Sequence, residues 1–169
     1  LFLCLRFGDP LVFARGQESY FLRPPVSALD HWYRLVTFEP IWATYVPGSD
    51  CYWRRHAPTP GPLLNLQFWN PIWFSLTCGL LFWGWFRRIL TDTESVLGAA
   101  LLLIPYLGRA EEFCMGCQAR YATAAIPAMM VLGQLFSGMP ATMRAGFVMA
   151  GVSLLTLYSA MFAAWYFIL

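Results

Sequence analysis

Residues 66–86 contain no charged side chain, and neither do residues 145–169. As a helix the first run is about 31 Å long, which matches a hydrocarbon core of roughly 30 Å. Runs of this length and character mark membrane-spanning helices, and they constrain the fold more than any other feature of the chain. The composition agrees. Hydrophobic residues make up 59% of the 169 positions and charged residues only 12%, against about 25% charged in a typical soluble domain. The class expected is all-α: a polytopic transmembrane helical bundle, forming a single membrane domain over residues 1–169.

Two weaker runs add to the strong ones. Residues 95–108 are apolar but short, with Pro105 near their end. They read as a tilted, kinked or flank-extended span, with a re-entrant segment as the alternative. Residues 121–143 are uncharged but carry Pro127, Gly133, Gly138 and Pro140, so the span is drawn over 121–137. Residues 1–5 read as the tail of an earlier span rather than a signal peptide, because no basic stretch precedes them. The expectation is therefore about four spans (66–86, 95–108, 121–137 and 145–169) plus the end of an earlier one. The small residues Gly146, Ala150 and Gly151 suit close helix packing in the last span.

Residues 6–65 form a loop between spans. Asp9 followed by Pro10 is a helix-start signal. Phe13, Gln17, Tyr20 and Phe21 then fall near one helical face, which suits a short interfacial helix. Arg23-Pro24-Pro25 ends it. Beyond, Asp30, His31, Arg34, Glu39, Asp50, Arg54, Arg55 and His56 alternate with Trp32, Tyr33, Trp42, Tyr45, Tyr52 and Trp53. This is expected to be an ordered, aromatic-rich extramembrane loop with one or two short helices. Its aromatics form an interfacial belt or stack on sugar rings. His31 and His56 read as ordinary loop histidines.

Charge fixes the orientation. If 66–86 and 95–108 both cross, the long loop shares one face with the charged hairpin around residues 109–120. The Arg87-Arg88 turn and Arg144 share the other. Short loops rich in arginine stay in the cytoplasm, so the long loop and the hairpin are expected to face outward. The chain has 11 Lys+Arg and a net charge of +2, which gives no nucleic-acid surface.

The hairpin sets Arg109, Glu111, Glu112 and Arg120 between two apolar runs. Charge at membrane depth is costly, so this cluster belongs in water, at headgroups or in a protein cavity. Cys114 and Cys117 are the one cysteine pair with metal or redox spacing, but a zinc site needs about four ligands and no second pair or nearby histidine exists. No metal and no cofactor are expected. The cysteines read as incidental small apolar residues, with a local Cys114–Cys117 redox pair or disulfide as the alternative.

Two stretches carry a resemblance. Gly8-Asp9-Pro10-Leu11, with Phe13 and Gln17 following, resembles the Gly-Asp-Pro-Leu-Ala-Phe…Gln motif of the GPI mannosyltransferase II family (phosphatidylinositol-glycan class V) and its bacterial relatives. Gly116, then Arg120-Tyr121 and Ile126-Pro127, resembles that family's Gly-Arg-Tyr…Phe-Pro segment, although Cys117-Gln118-Ala119 intervenes and Ile126 replaces Phe. The likeness covers the C-terminal half of such an enzyme. It implies a GT-C type glycosyltransferase in a bacterial inner membrane or the endoplasmic reticulum membrane. Such an enzyme transfers mannose from a polyprenyl-phosphate-linked sugar donor to a lipid or glycolipid acceptor on the non-cytoplasmic face. It also implies that the catalytic acid lies upstream of Leu1, so that this chain alone is inactive.

The substrate-binding candidates are Asp9, Gln17, Arg120 and Tyr121. A guanidinium suits a phosphodiester through paired donors, which makes Arg120 the first choice. The bland alternative pairs Arg120 with Glu111 or Glu112, and leaves Asp9 a plain helix cap. Two other classes remain open: a non-catalytic membrane scaffold subunit and a transporter fragment. The transporter is disfavoured because all charge lies in loops or at span ends, and no inverted pair of interrupted spans is visible.

Overall fold

The computed structural model describes residues 23, 26–56, 61–116 and 118–163. Every regular element among them is helical. Helix α1 spans Ala28–Val36, α2 Glu39–Ala43 and α3 Trp53–His56, and a 3-10 turn at Pro62–Leu64 follows. The long helices are α4 at Leu66–Phe86 and α5 at Asp92–Arg109. Then come α6 at Gln118–Ala124, α7 at Ile126–Ser137 and α8 at Ala141–Ala163.

Local chemistry sets the boundaries. Ser27 caps α1 by accepting from the Asp30 amide, and the helix ends where Phe38 turns left-handed. Asn65 caps α4 through the Phe68 amide. At its other end Arg88 adopts φ +58°, which stops the helix. Thr91 and Glu94 then form a complete capping box. That box starts α5 at Asp92, before the apolar run begins, because acidic residues favour the first turn of a helix. The stretch expected as one helix over 121–137 is broken instead. Proline cannot donate a hydrogen bond, and its ring crowds the carbonyl four residues back. Pro127 accordingly sits in the first turn of a new helix, with Ala125 outside both α6 and α7.

Helix α4 is the hub. Helices α5, α6 and α7 pack on it, and α6 and α7 also pack on α5. The core contains Phe74 and Leu81 from α4, Leu102 and Tyr106 from α5, Ala122 from α6, and Ala128 and Val131 from α7. Phe74 stacks on Tyr106 with ring centroids 5.0 Å apart. Two glycines permit the close approaches. A Cβ on Gly84 would collide with Val131 Cγ2, and one on Gly98 would collide with Leu81 Cδ2.

Only one helix among the described residues is long and apolar enough to cross a membrane on its own: α8, over Ala141–Ala160. It stands apart from the four-helix core. A stacked Phe136–Phe147 pair at 5.6 Å holds it near its start. Toward its other end, Tyr158 Oη donates to the Leu63 carbonyl at 2.6 Å. Polar Gln67 and Asn70 and the imino acid Pro71 dilute α4, and Asp92 and Glu94 open α5. Helices α6 and α7 are each too short, at 7 and 12 residues.

Candidate functional site

The charged hairpin, residues 110–116, links α5 to α6 at one end of the bundle. Its backbone is costly to form. Cys114 and Met115 are successive left-handed residues, with φ of +50° and +63°, and each costs about 1–2 kcal/mol for a side chain with a Cβ. Several contacts offset this. Met115 is fully buried in the core. Gln67 Nε2 donates to the Cys114 carbonyl, and Asn70 Oδ1 accepts from the Ala119 amide at 3.2 Å. Thus of the two side-chain amides that dilute α4 as an apolar run, Gln67 docks the hairpin and Asn70 the first turn of α6.

Cys114 is disulfide-bonded to Cys51, across 63 residues of sequence. Both residues are buried, with Ala43 beside them. This corrects the expectation of incidental cysteines and displaces the local Cys114–Cys117 pairing. The bond ties the aromatic loop to the hairpin. The spacing of three between Cys114 and Cys117 drew attention to the wrong partner, because Cys51 sits in a Ser-Asp-Cys-Tyr context with no recognisable spacing.

A second tie is electrostatic. Glu111 is only 2% exposed. Its Oε1 accepts from Arg34 at 2.6 Å, with the Arg23 guanidinium 3.7 Å away, and its Oε2 lies 3.4 Å from His31 Nδ1. Arg23 in turn makes a two-pronged pair with Glu39, at 2.7 and 2.6 Å. Burial works against the Arg23 charge. The Glu39 hydrogen bonds and the charges of Glu39, Glu111 and Asp50 outweigh it and hold its pKa above the ordinary arginine value. His31 is therefore no free loop histidine. His31 and Arg34 are three apart on α1, so one helical face presents both to Glu111. That spacing was the available signal for the network; the partner in a hairpin 77 residues away had none.

Arg120 lies two residues beyond the start of α6, exposed. Its carbonyl accepts from Thr123 Oγ1 at 2.8 Å. The Glu111 carboxylate that could have neutralised Arg120 is occupied by Arg34, His31 and Arg23. Among the described residues the Arg120 side chain has no ion pair. Tyr121, its neighbour, is half-buried. Asp9 and Gln17 lie outside the described residues, as does the whole of the first motif. Comparison of the chain with family models, with curated proteins and with solved structures gives no match.

Proposed function

We propose that this chain is the C-terminal portion of an integral-membrane glycosyltransferase of the GT-C type, which takes mannose from a polyprenyl-phosphate donor and passes it to a lipid or glycolipid. The reading rests on the motif resemblance, and one observation carries it further: Arg120 is exposed and makes no ion pair among the described residues. Glu111 is held by a buried network and no ion pair joins Arg120 to Glu112 among the described residues, which supports a role for Arg120 toward an outside anion. A planar guanidinium meets a phosphodiester with two parallel hydrogen bonds. Tyr121 beside it offers a hydroxyl to the same headgroup.

The membrane setting is part of the proposal. Helix α8 can cross on its own. Helices α4 and α5 expose Phe82, Phe86, Val96 and Ile104 at 66–70%, an apolar exterior that suits lipid. The disulfide supports an outward-facing loop and hairpin, since structural disulfides persist in oxidising compartments. It lies at the hairpin end of the bundle, while the Arg87-Arg88 turn lies at the far end of α4, as expected for a cytoplasmic turn.

The test is transferase activity against polyprenyl-phosphate mannose concentration in the intact reading frame, at matched amounts of folded protein. Arg120→Lys keeps the charge but loses the fork. Charge-assisted contacts are worth about 1.5–3 kcal/mol, so kcat/KM should fall roughly ten- to hundredfold. Thermal stability should change little, because the Arg120 side chain makes no ion pair among the described residues. Unaltered donor dependence in Arg120→Lys rejects the phosphate role.

A further inference from the structure

Helix α1 is amphipathic the wrong way round for a helix in water. Its inward face carries His31 and Arg34, directed at Glu111, together with the buried Leu35. Its outward face carries Leu29, Trp32, Tyr33 and Val36, at spacings of three, four and seven. These are exposed by 83%, 54%, 71% and 73%. A surface helix ordinarily buries the apolar stripe and solvates the charges. Here His31 and Arg34 are consumed internally, Asp30 stays exposed beside its Ser27 cap, and the apolar stripe is left outside.

The position of α1 says what covers that stripe. The Leu35 carbonyl accepts from Tyr106 Oη at 2.9 Å. Tyr106 lies three residues before the end of α5, a rise of about 4.5 Å. Phe38, just past α1, meets the same ring at 6.2 Å. The α2–α3 segment reaches the same end of the bundle, where Tyr45 Oη donates to the Phe68 carbonyl in the first turn of α4 at 2.8 Å. That end is also where the membrane-competent helix α8 finishes, through Tyr158 and Leu63. At this level the last turns of α5 expose Leu103, Ile104 and Leu107, so the apolar exterior continues up to α1. Trp and Tyr with Leu and Val on one helical face, at the boundary level of apolar helices, is the composition of a segment lying in the headgroup–acyl boundary.

We infer that α1 is an interfacial helix: its Leu29, Trp32, Tyr33 and Val36 face is immersed in the outer leaflet, and the occupant of that face is lipid. The inference rests on the membrane reading above. It changes the status of this part of the loop from extramembrane to membrane-seated. Through Arg34, His31 and Glu111 the seated helix grips the hairpin that leads to Arg120, so the leaflet positions the donor-side residues.

The test is depth-dependent fluorescence quenching in lipid vesicles. Single cysteines at Tyr33, Val36, Arg55 and Leu155 are labelled with a small fluorophore. The background keeps the Cys51–Cys114 disulfide and replaces the other cysteines with serine. Two stripe positions guard against one variant failing to fold. Labels at Tyr33→Cys and Val36→Cys should be quenched by lipids brominated just below the headgroup and be several-fold less sensitive to aqueous iodide than Arg55→Cys. Leu155→Cys on α8 reports the membrane reading itself, and should be quenched by deeply brominated lipid. Lipid quenching at Leu155 with iodide-accessible Tyr33 and Val36 labels overturns the interfacial helix and leaves the membrane reading standing. Protection of Tyr33 and Val36 from both quenchers also overturns it, and indicates a protein partner or a second copy on that face. Absence of lipid quenching at all of these positions removes the membrane reading.

Discussion

Replacing Cys51 and Cys114 together with alanine removes the covalent tie between the aromatic loop and the hairpin. The loop so released closes over 63 residues. Treated as a free coil, a loop of that length loses about 14 cal/mol/K on closure, or about 4 kcal/mol at 25 °C. On the membrane reading α4 and α5 would stay helical in the unfolded reference state in micelles, and they occupy 21 and 18 of those residues. The roughly 24 that remain give about 3.4 kcal/mol. The change also lets the left-handed Cys114–Met115 backbone relax, which returns about 1 kcal/mol. The expected loss is therefore about 2–4 kcal/mol. The assay is reversible unfolding by denaturant in mixed micelles, without reductant, with Cys78→Ala as the control because Cys78 is a free thiol. Thiol counting by mass spectrometry on the native protein checks the pairing directly. A loss below about 1 kcal/mol, or free thiols at both positions, would refute the tie between loop and hairpin.

Three further outcomes follow from the packing. Glu111→Gln leaves the Arg34 charge without its carboxylate. Breaking a buried pair costs about 3–5 kcal/mol, and because Arg34 is 33% exposed the loss in unfolding free energy should be nearer 2–3 kcal/mol, with coupling visible in a double-mutant cycle with Arg34→Met. Gly84→Ala should cost about 1–3 kcal/mol by overpacking against Val131 and Leu90, whereas Gly79→Ala, with open space around it, should be neutral or slightly stabilising by thermal melting. Burial pushes the Tyr45 hydroxyl up to about 12. It is protonated in the native state when an unfolded tyrosine already ionises near roughly pH 10. Its contribution is thus complete below that pH and is lost as pH rises toward the native value. Tyr45→Phe should flatten this alkaline fall in an unfolding-versus-pH series, and should lose about 1 kcal/mol at neutral pH with the hydrogen bond to Phe68.

The sequence was most legible where local chemistry decides. The ends of α4 follow from Asn65 as a cap and from the arginines that close the uncharged run. The start of α5 was missed by three residues, because Thr91 and Glu94 form a capping box in a turn that reads as merely polar. The break at Ala125 was available in Pro127 but was subordinated to the uncharged character of the run. Long-range pairings were hidden for a different reason. Neither Cys51–Cys114 nor Arg34–Glu111 has a spacing that distinguishes it, and both are selected only once α4 and α5 have folded back on each other. Arg120 lies in the first turn of α6, and its lack of an ion pair among the described residues depends in part on where Glu111 goes. Of the loop aromatics, Trp53 is buried while Trp32 and Tyr33 share an outward stripe with Leu29 and Val36, set by the inward turn of His31 and Arg34 that the linear sequence does not disclose.

The proposed phosphate site and the proposed interfacial helix both require the loop and the hairpin to lie on the non-cytoplasmic side, with the turn between α4 and α5 opposite. Cysteines at the exposed positions Arg55 and Thr93, each in the background that keeps the Cys51–Cys114 disulfide, report the two ends of α4. In sealed vesicles of known orientation, a membrane-impermeant maleimide added to the non-cytoplasmic side should label Arg55→Cys at once and Thr93→Cys only after permeabilisation. Labelling of both positions from one side would mean that α4 does not cross, and would contradict the account at its root.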